Sequence, residues 1–182
     1  MKRKLSLSIL GLFLVSGLNA YEINGDLGVK WTGFKTEKKV PVSGTFNEIN
    51  LDIKSSEKLD EFLKSAKVKI NSLSLESKDE GRNISMISTL FSLASAKEIK
   101  GAITQVNESE KTLLLDVTMN EITKAIPMTY EIVDGNIIAK GAIEILDFNL
   151  KGSFLEFAKV CAVHHENKSF SNVDIAFTIP FK

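Results

Sequence analysis

Residues 29–46 read VKWTGFKTEKKVPVSGTF. Val29, Trp31 and Gly33 alternate with Lys30, Thr32 and Phe34. After a charged break at Thr36 to Lys39, Val40, Val42, Gly44 and Phe46 alternate with Pro41, Ser43 and Thr45. A period of two places successive side chains on opposite faces, so each half predicts a strand with one buried face. The short polar break between them predicts a hairpin. Its apolar face either closes a small core or walls a cavity.

The same period runs through the rest of the chain. Ile49, Leu51 and Ile53 continue it, as do Ala66, Val68 and Ile70. Later come Leu113, Leu115, Val117 and Met119, then Ile126, Met128, Tyr130 and Ile132. The cleanest run is Val173, Ile175, Phe177, Ile179 and Phe181. Together these predict eight strands, at 28–35, 38–54, 66–75, 97–106, 111–120, 125–134, 136–150 and 171–181. Asp134-Gly135-Asn136 and the polar loop 107–111 supply turn residues between them. Short connections predict antiparallel neighbours. The apolar face shifts by one residue between Ile70 and Leu73, which predicts a bulge or bend around Asn71 and Ser72.

Two segments follow helical spacing instead. In Ser55 to Ser65, Leu59, Phe62 and Leu63 form an apolar stripe behind a serine N-cap. In Asp79 to Ser95, Ile84, Ile87, Leu90, Phe91 and Ala94 do the same, with Asp79 and Glu80 at the positive end of the helix. An antiparallel sheet of this extent must protect its edges, and closing into a barrel does so; a sandwich is the next choice. The expectation is an all-β, eight-stranded antiparallel barrel with short helical insertions.

Composition narrows the function. The chain has 182 residues, 23 basic and 23 acidic side chains, and 43% hydrophobic residues. That suits one domain with a substantial core. Balanced charge removes the electrostatic argument for a nucleic-acid partner. Residues 1–20, MKRKLSLSILGLFLVSGLNA, have a basic start, an apolar centre and a small-residue end, the pattern of a cleaved signal peptide. The competing reading is an uncleaved anchor. The remaining domain, 21–182, carries 20 basic and 23 acidic groups and no apolar run long enough for a membrane helix. An exported, periplasmic protein without stable membrane insertion is expected. A single cysteine, Cys161, leaves no intramolecular disulfide.

Several motifs then fall into a familiar order. These are the opening hairpin with Trp31, Lys35, Lys38, Lys39 and Val42-Ser43-Gly44-Thr45-Phe46; Thr118-Met119-Asn120-Glu121-Ile122-Thr123-Lys124; Ile145-Leu146-Asp147-Phe148-Asn149-Leu150; and Val173-Asp174-Ile175. The set resembles the YceI family of exported, lipocalin-like polyisoprenoid-binding proteins. Glu121 stands where that family has a turn glycine, and Glu resists positive φ, so a different turn type is expected. The segment KDEGRNISMISTLF keeps Arg82 but has no histidine, unlike the family's usual His, Arg and Asp. The resemblance implies an elongated apolar interior holding a quinone-like or polyprenyl chain, a possible homodimer, and no catalysis.

An isoprenoid tail needs a dry tunnel, since burial stabilises it by roughly 25 cal/mol per Å² of apolar surface. It needs only one or two polar groups at its head. An eight-stranded barrel has room for either a filled core or one small ligand. The cavity candidates are Trp31, Phe46, Ile87, Leu90, Phe91, Phe148 and Phe154. Each is also readable as an ordinary core residue. No cofactor is expected beyond such a bound lipid.

Cys161, His164, His165 and Glu166 put metal-binding side chains within six residues. Adjacent histidines point apart in an extended segment, and zinc spacings are absent, so the expectation is no metal site and no nucleophile but a polar loop beside a thiol. The leading functional expectation is a noncovalent carrier or store of an isoprenoid, quinone or related amphiphile. The alternative is a stress-response or protein-interaction module with a filled barrel.

Overall fold

The structure is a computed structural model that describes residues 20–94 and 96–182. All of the expected signal peptide except Ala20 lies outside the described residues. Ten antiparallel strands form one curled sheet: β1 Gly28–Lys35, β2 Val40–Phe46, β3 Ile49–Asp52, β4 Lys67–Asn71, β5 Leu75–Glu76, β6 Glu98–Asn107, β7 Thr112–Met119, β8 Ile122–Val133, β9 Asn136–Glu144 and β10 Asn172–Pro180. Among the described residues three α-helices accompany it: α1 Leu59–Ser65, α2 Glu80–Met86 and α3 Lys151–Val160.

The all-β class holds, but the strand count is ten, not the expected eight. Two of the expected strands each break in the middle. The segment 38–54 bends at Asn47 and Glu48, separating β2 from β3. The segment 66–75 bends at a 3-10 turn, Ser72–Ser74, separating β4 from β5. The second bend is built by side chains that bond local backbone in place of a partner strand. Asn71 accepts from Leu73 N at 3.0 Å, and Ser74 Oγ donates to Asn71 O at 2.7 Å.

The two bends face each other. Asn47 N donates to Ser74 O at 2.9 Å, and Asn71 N donates to Glu48 O at 3.1 Å. The strand order is β3-β4-β6-β7-β8-β9-β10-β1-β2-β5. Its two ends, β3-β4 and β2-β5, are therefore halves of the same two bent segments. The sheet curls until it meets itself across the bends.

Other boundaries shift for local reasons. The expected strand 136–150 stops at Glu144, whose carboxylate accepts from Leu146 N at 3.0 Å and starts a 3-10 turn, Ile145–Phe148. The turn at Asn120 and Glu121 departs from expectation: both residues take positive φ, 50° and 64°, so glutamate occupies the glycine conformation after all. Asn120 Nδ2 donates to Phe148 O at 3.0 Å, tying this turn to the 3-10 turn across the end of the sheet. Asp134 and Gly135 have φ of 48° and 71°, the pairing a tight hairpin needs.

The helices close the two ends. α1 buries Leu59, Phe62 and Leu63, and Tyr21 stacks on Phe62 with ring centroids 6.0 Å apart. At the other end, Asp79 caps α2 by accepting from Arg82 N at 2.9 Å. α2 then widens into a π-helical turn, Ile87–Phe91. α3, which alternation did not predict, packs against that turn. Among the described residues no helix is long and apolar enough to cross a membrane.

Candidate functional site

A cavity of about 220 Å³ lies between the concave face of the sheet and the α2–α3 end. One water needs only ~10–15 Å³ measured this way, so this is more than a packing void. It is somewhat smaller than the ~300–1,000 Å³ of ordinary ligand clefts. The sheet supplies an almost wholly apolar wall, including Trp31, Val42, Phe46, Leu115, Val117, Met128 and Ile175. Alternation explains why: residues two apart on each strand face the same way. The helical end contributes Met86, Leu90, Phe91, Phe154 and Phe157.

Five of the sequence candidates, Trp31, Phe46, Leu90, Phe91 and Phe154, line this cavity together. Trp31 is anchored by its indole N–H, which donates to Thr45 O at 3.2 Å. Phe46 and Phe91 meet edge to face at 6.5 Å, joining strand wall to helical cap. Phe148 and Ile87 are not in the lining. Phe148 is fully buried in the core, and Ile87 is a half-buried residue packed against that core.

One cluster of polar groups stands out in the lining. Lys35 at the end of β1, Arg82 of α2, and Cys161 and His165 beyond α3 all border the cavity. Arg82 is fixed by Asp79 at 3.3 Å and by donation to Ser77 O at 3.2 Å. Asp79 is held below the usual carboxylate range, chiefly by the Arg82 backbone N–H. His165 Nδ1 shares a 2.7 Å hydrogen bond with Ser169 Oγ, and its ring stands edge-on to Phe157 at 5.6 Å. Burial lowers its pKa first, and the nearby Lys35, His164 and Arg82 charges lower it further. Burial raises the Cys161 thiol, with Lys35 opposing weakly. Burial thus favours the neutral thiol, which packs as a small apolar group in the wall.

His164 is exposed while His165 faces the cavity, so the adjacent pair does not converge. Among the described residues no group of three His, Cys, Asp or Glu side chains is placed to hold a metal ion. Sequence reasoning missed the wall made by α3. Its signal was present: Phe154, Phe157, Cys161 and His165 recur at spacings of three, four and four, one face of a helix and its continuing turn.

A wider depression of about 610 Å³ adjoins the cavity at the bend and shares Leu27, Val29, Phe46 and Leu51 with it. Asp26, Asn47 and Asp52 border it, so it suits water better than a hydrocarbon.

The chain belongs to the YceI family: the YceI-like domain matches residues 21–181. Its fold is similar to a polyisoprenoid-binding domain from Saccharophagus degradans, at 13% identity and a TM-score of 0.60 over 90% of this chain and 98% of that one. It is also similar to BcnA of Burkholderia cenocepacia, at 16% identity and a TM-score of 0.61 over 87% of this chain and 98% of that one. Identities this low speak to the fold alone. No curated protein matches the chain.

Proposed function

We propose that this YceI-family chain is a noncovalent carrier of a long-chain isoprenoid, quinone or related amphiphile. The observation that carries the reading is an apolar cavity bordered by Lys35, Arg82 and His165, which lie near one another. The tail lies among Trp31, Phe46, Leu90, Phe91 and Phe154 in a lipocalin-like barrel. The head lies toward Lys35 and Arg82. Family membership and the structural likeness to a polyisoprenoid-binding domain support the ligand class. The reading includes export to the periplasm, transport or storage rather than catalysis, no cofactor, and a possible homodimer.

A cavity of about 220 Å³ is small for a whole polyprenyl chain, so loading spreads the α2–α3 end away from the sheet. Native mass spectrometry of protein purified from its own host, followed by solvent extraction, tests the proposal. A mass increment that extracts as an apolar lipid is the expected result. Protein that stays ligand-free in its host and takes up no prenyl-chain probe overturns it.

A further inference from the structure

The two helices that cap the cavity are apolar on both sides. Their inner faces line it, as described. Their outer faces carry Ile84, Leu155 and Val160, and the turns that follow them carry Leu93 and Val163; all five are between 55% and 89% exposed. Among the described residues eight large hydrophobics are exposed, and these five all sit at the same end of the molecule. A soluble protein scatters such residues singly, so their gathering over the helical cap of the cavity marks a contact surface.

The surrounding charge favours one kind of partner. Residues 36–39, 78–94 and 151–168 hold seven Lys and Arg side chains against five carboxylates, whereas the domain from residue 21 onward has 20 basic and 23 acidic groups. Asp79 is engaged by Arg82. Glu156 and Glu37 lie 3.8 Å and 3.7 Å from Lys159 and Lys168. Glu80 and Glu166 are exposed. Lys38, Lys39, Lys78 and Lys151 have no carboxylate within salt-bridge distance among the described residues. Exposed aliphatic side chains interspersed with lysines on a short helix are the composition of a segment that rests in a membrane interface.

We infer that the α2–α3 end docks on an anionic lipid bilayer, with Ile84, Leu93, Leu155, Val160 and Val163 in the interface and the lysines against the head groups. This rests on the carrier reading in one respect: a chain that moves from bilayer to cavity need not cross water if the mouth is seated on the membrane. The orientation also brings Lys35 and Arg82 close to the lipid head-group layer.

The test uses the processed chain and vesicles of phosphatidylglycerol and phosphatidylethanolamine, with phosphatidylcholine vesicles as the control. Flotation is expected to carry the protein with the anionic vesicles, less so at high salt. The triple change Leu155→Ser, Val160→Ser, Val163→Ser should reduce that partitioning by about tenfold or more. Its circular dichroism should be unchanged, because the three side chains are exposed. Lys151→Glu should weaken binding to anionic vesicles and leave the control unaffected. Wild-type protein that does not float overturns the inference. So does a solution dimer that the triple change dissociates in the absence of vesicle binding, because the patch is then covered by a second copy. Uptake of a fluorescent prenyl probe from detergent is measured separately: probe uptake without flotation sinks the docking alone, and flotation without uptake sinks the carrier reading alone.

Discussion

Trp31 lies directly across from Gly44 in the β1–β2 pair, and its indole occupies the space that a side chain at position 44 would need. A Cβ there would also press on the backbone oxygen of Glu76, which cannot swing aside. Gly44→Ala is therefore expected to destabilise the fold by about 1–3 kcal/mol, the usual range for overpacking. The shift of the urea midpoint at constant slope measures it. Gly33→Ala is the control, since nothing lies within 4 Å of its Cβ position, and a change within about 0.5 kcal/mol is expected.

That open space at Gly33 separates ligand capacity from stability. Gly33 borders the cavity two residues beyond Trp31 on the same strand. Gly33→Leu puts an apolar side chain where the ligand tail would lie. Retention of a prenyl probe should fall severalfold while the melting temperature stays level or rises. Unchanged retention would mean that the tail does not use this wall.

Trp31 is the only tryptophan in the chain, is buried, and lines the cavity. Its emission is thus a direct reporter of occupancy. Loading with a prenyl chain is expected to shift or quench it in a saturable way, and loading a quinone to quench it most. Titration that leaves the spectrum unmoved while ligand binds would place the ligand elsewhere.

His165 makes stability depend on acid. Its folded pKa lies below the unfolded value of about 6.5, because burial and the neighbouring Lys35, His164 and Arg82 charges disfavour the imidazolium. The unfolded chain therefore takes up the proton first as pH falls. Stability from this group is fully present above about pH 6.5 and declines as pH drops from there toward the folded pKa. His165→Gln, which keeps a hydrogen-bonding side chain for Ser169, should flatten the unfolding midpoint between about pH 5 and 7. A wild-type curve that rises with acid in that window contradicts the assignment.

Lys35 and Arg82 discriminate among head groups. Lys35→Ala and Arg82→Ala should each weaken binding of a prenyl phosphate more than that of the matching prenyl alcohol, with losses of about 1–3 kcal/mol for the charged ligand. Equal losses for both ligands would mean that the two residues only shape the wall.

Much of this was legible because alternation is a strong signal where a strand has one wet face and one dry face. Every strand of the sheet overlaps one of the eight expected segments, and Trp31 and Phe46 could be assigned to one inward row. The bend at Ser72 was legible in the one-residue shift of the apolar face after Ile70. The break at Asn47 was harder to place, because it depends on hydrogen bonds between two bends remote in sequence. α3 was hidden for another reason. It opens on Lys151-Gly152-Ser153, has no side-chain cap, and carries apolar residues on both faces, so its periodicity is blurred. Lys35, Arg82 and His165 come from three separate segments, and only the curled sheet and its helical end bring them around one cavity.

The pairing of β1 with β10 has a consequence in time. Gly28 opposes Thr178 and Trp31 opposes Ile175, so the first strand of the wall is completed by the last. No N-terminal fragment, however long, encloses the cavity until the final strand is available. Loop closure over that separation is slow compared with forming the local hairpins. A newly made chain therefore has secondary structure before it has a binding site, and its ability to hold a lipid appears late and all at once.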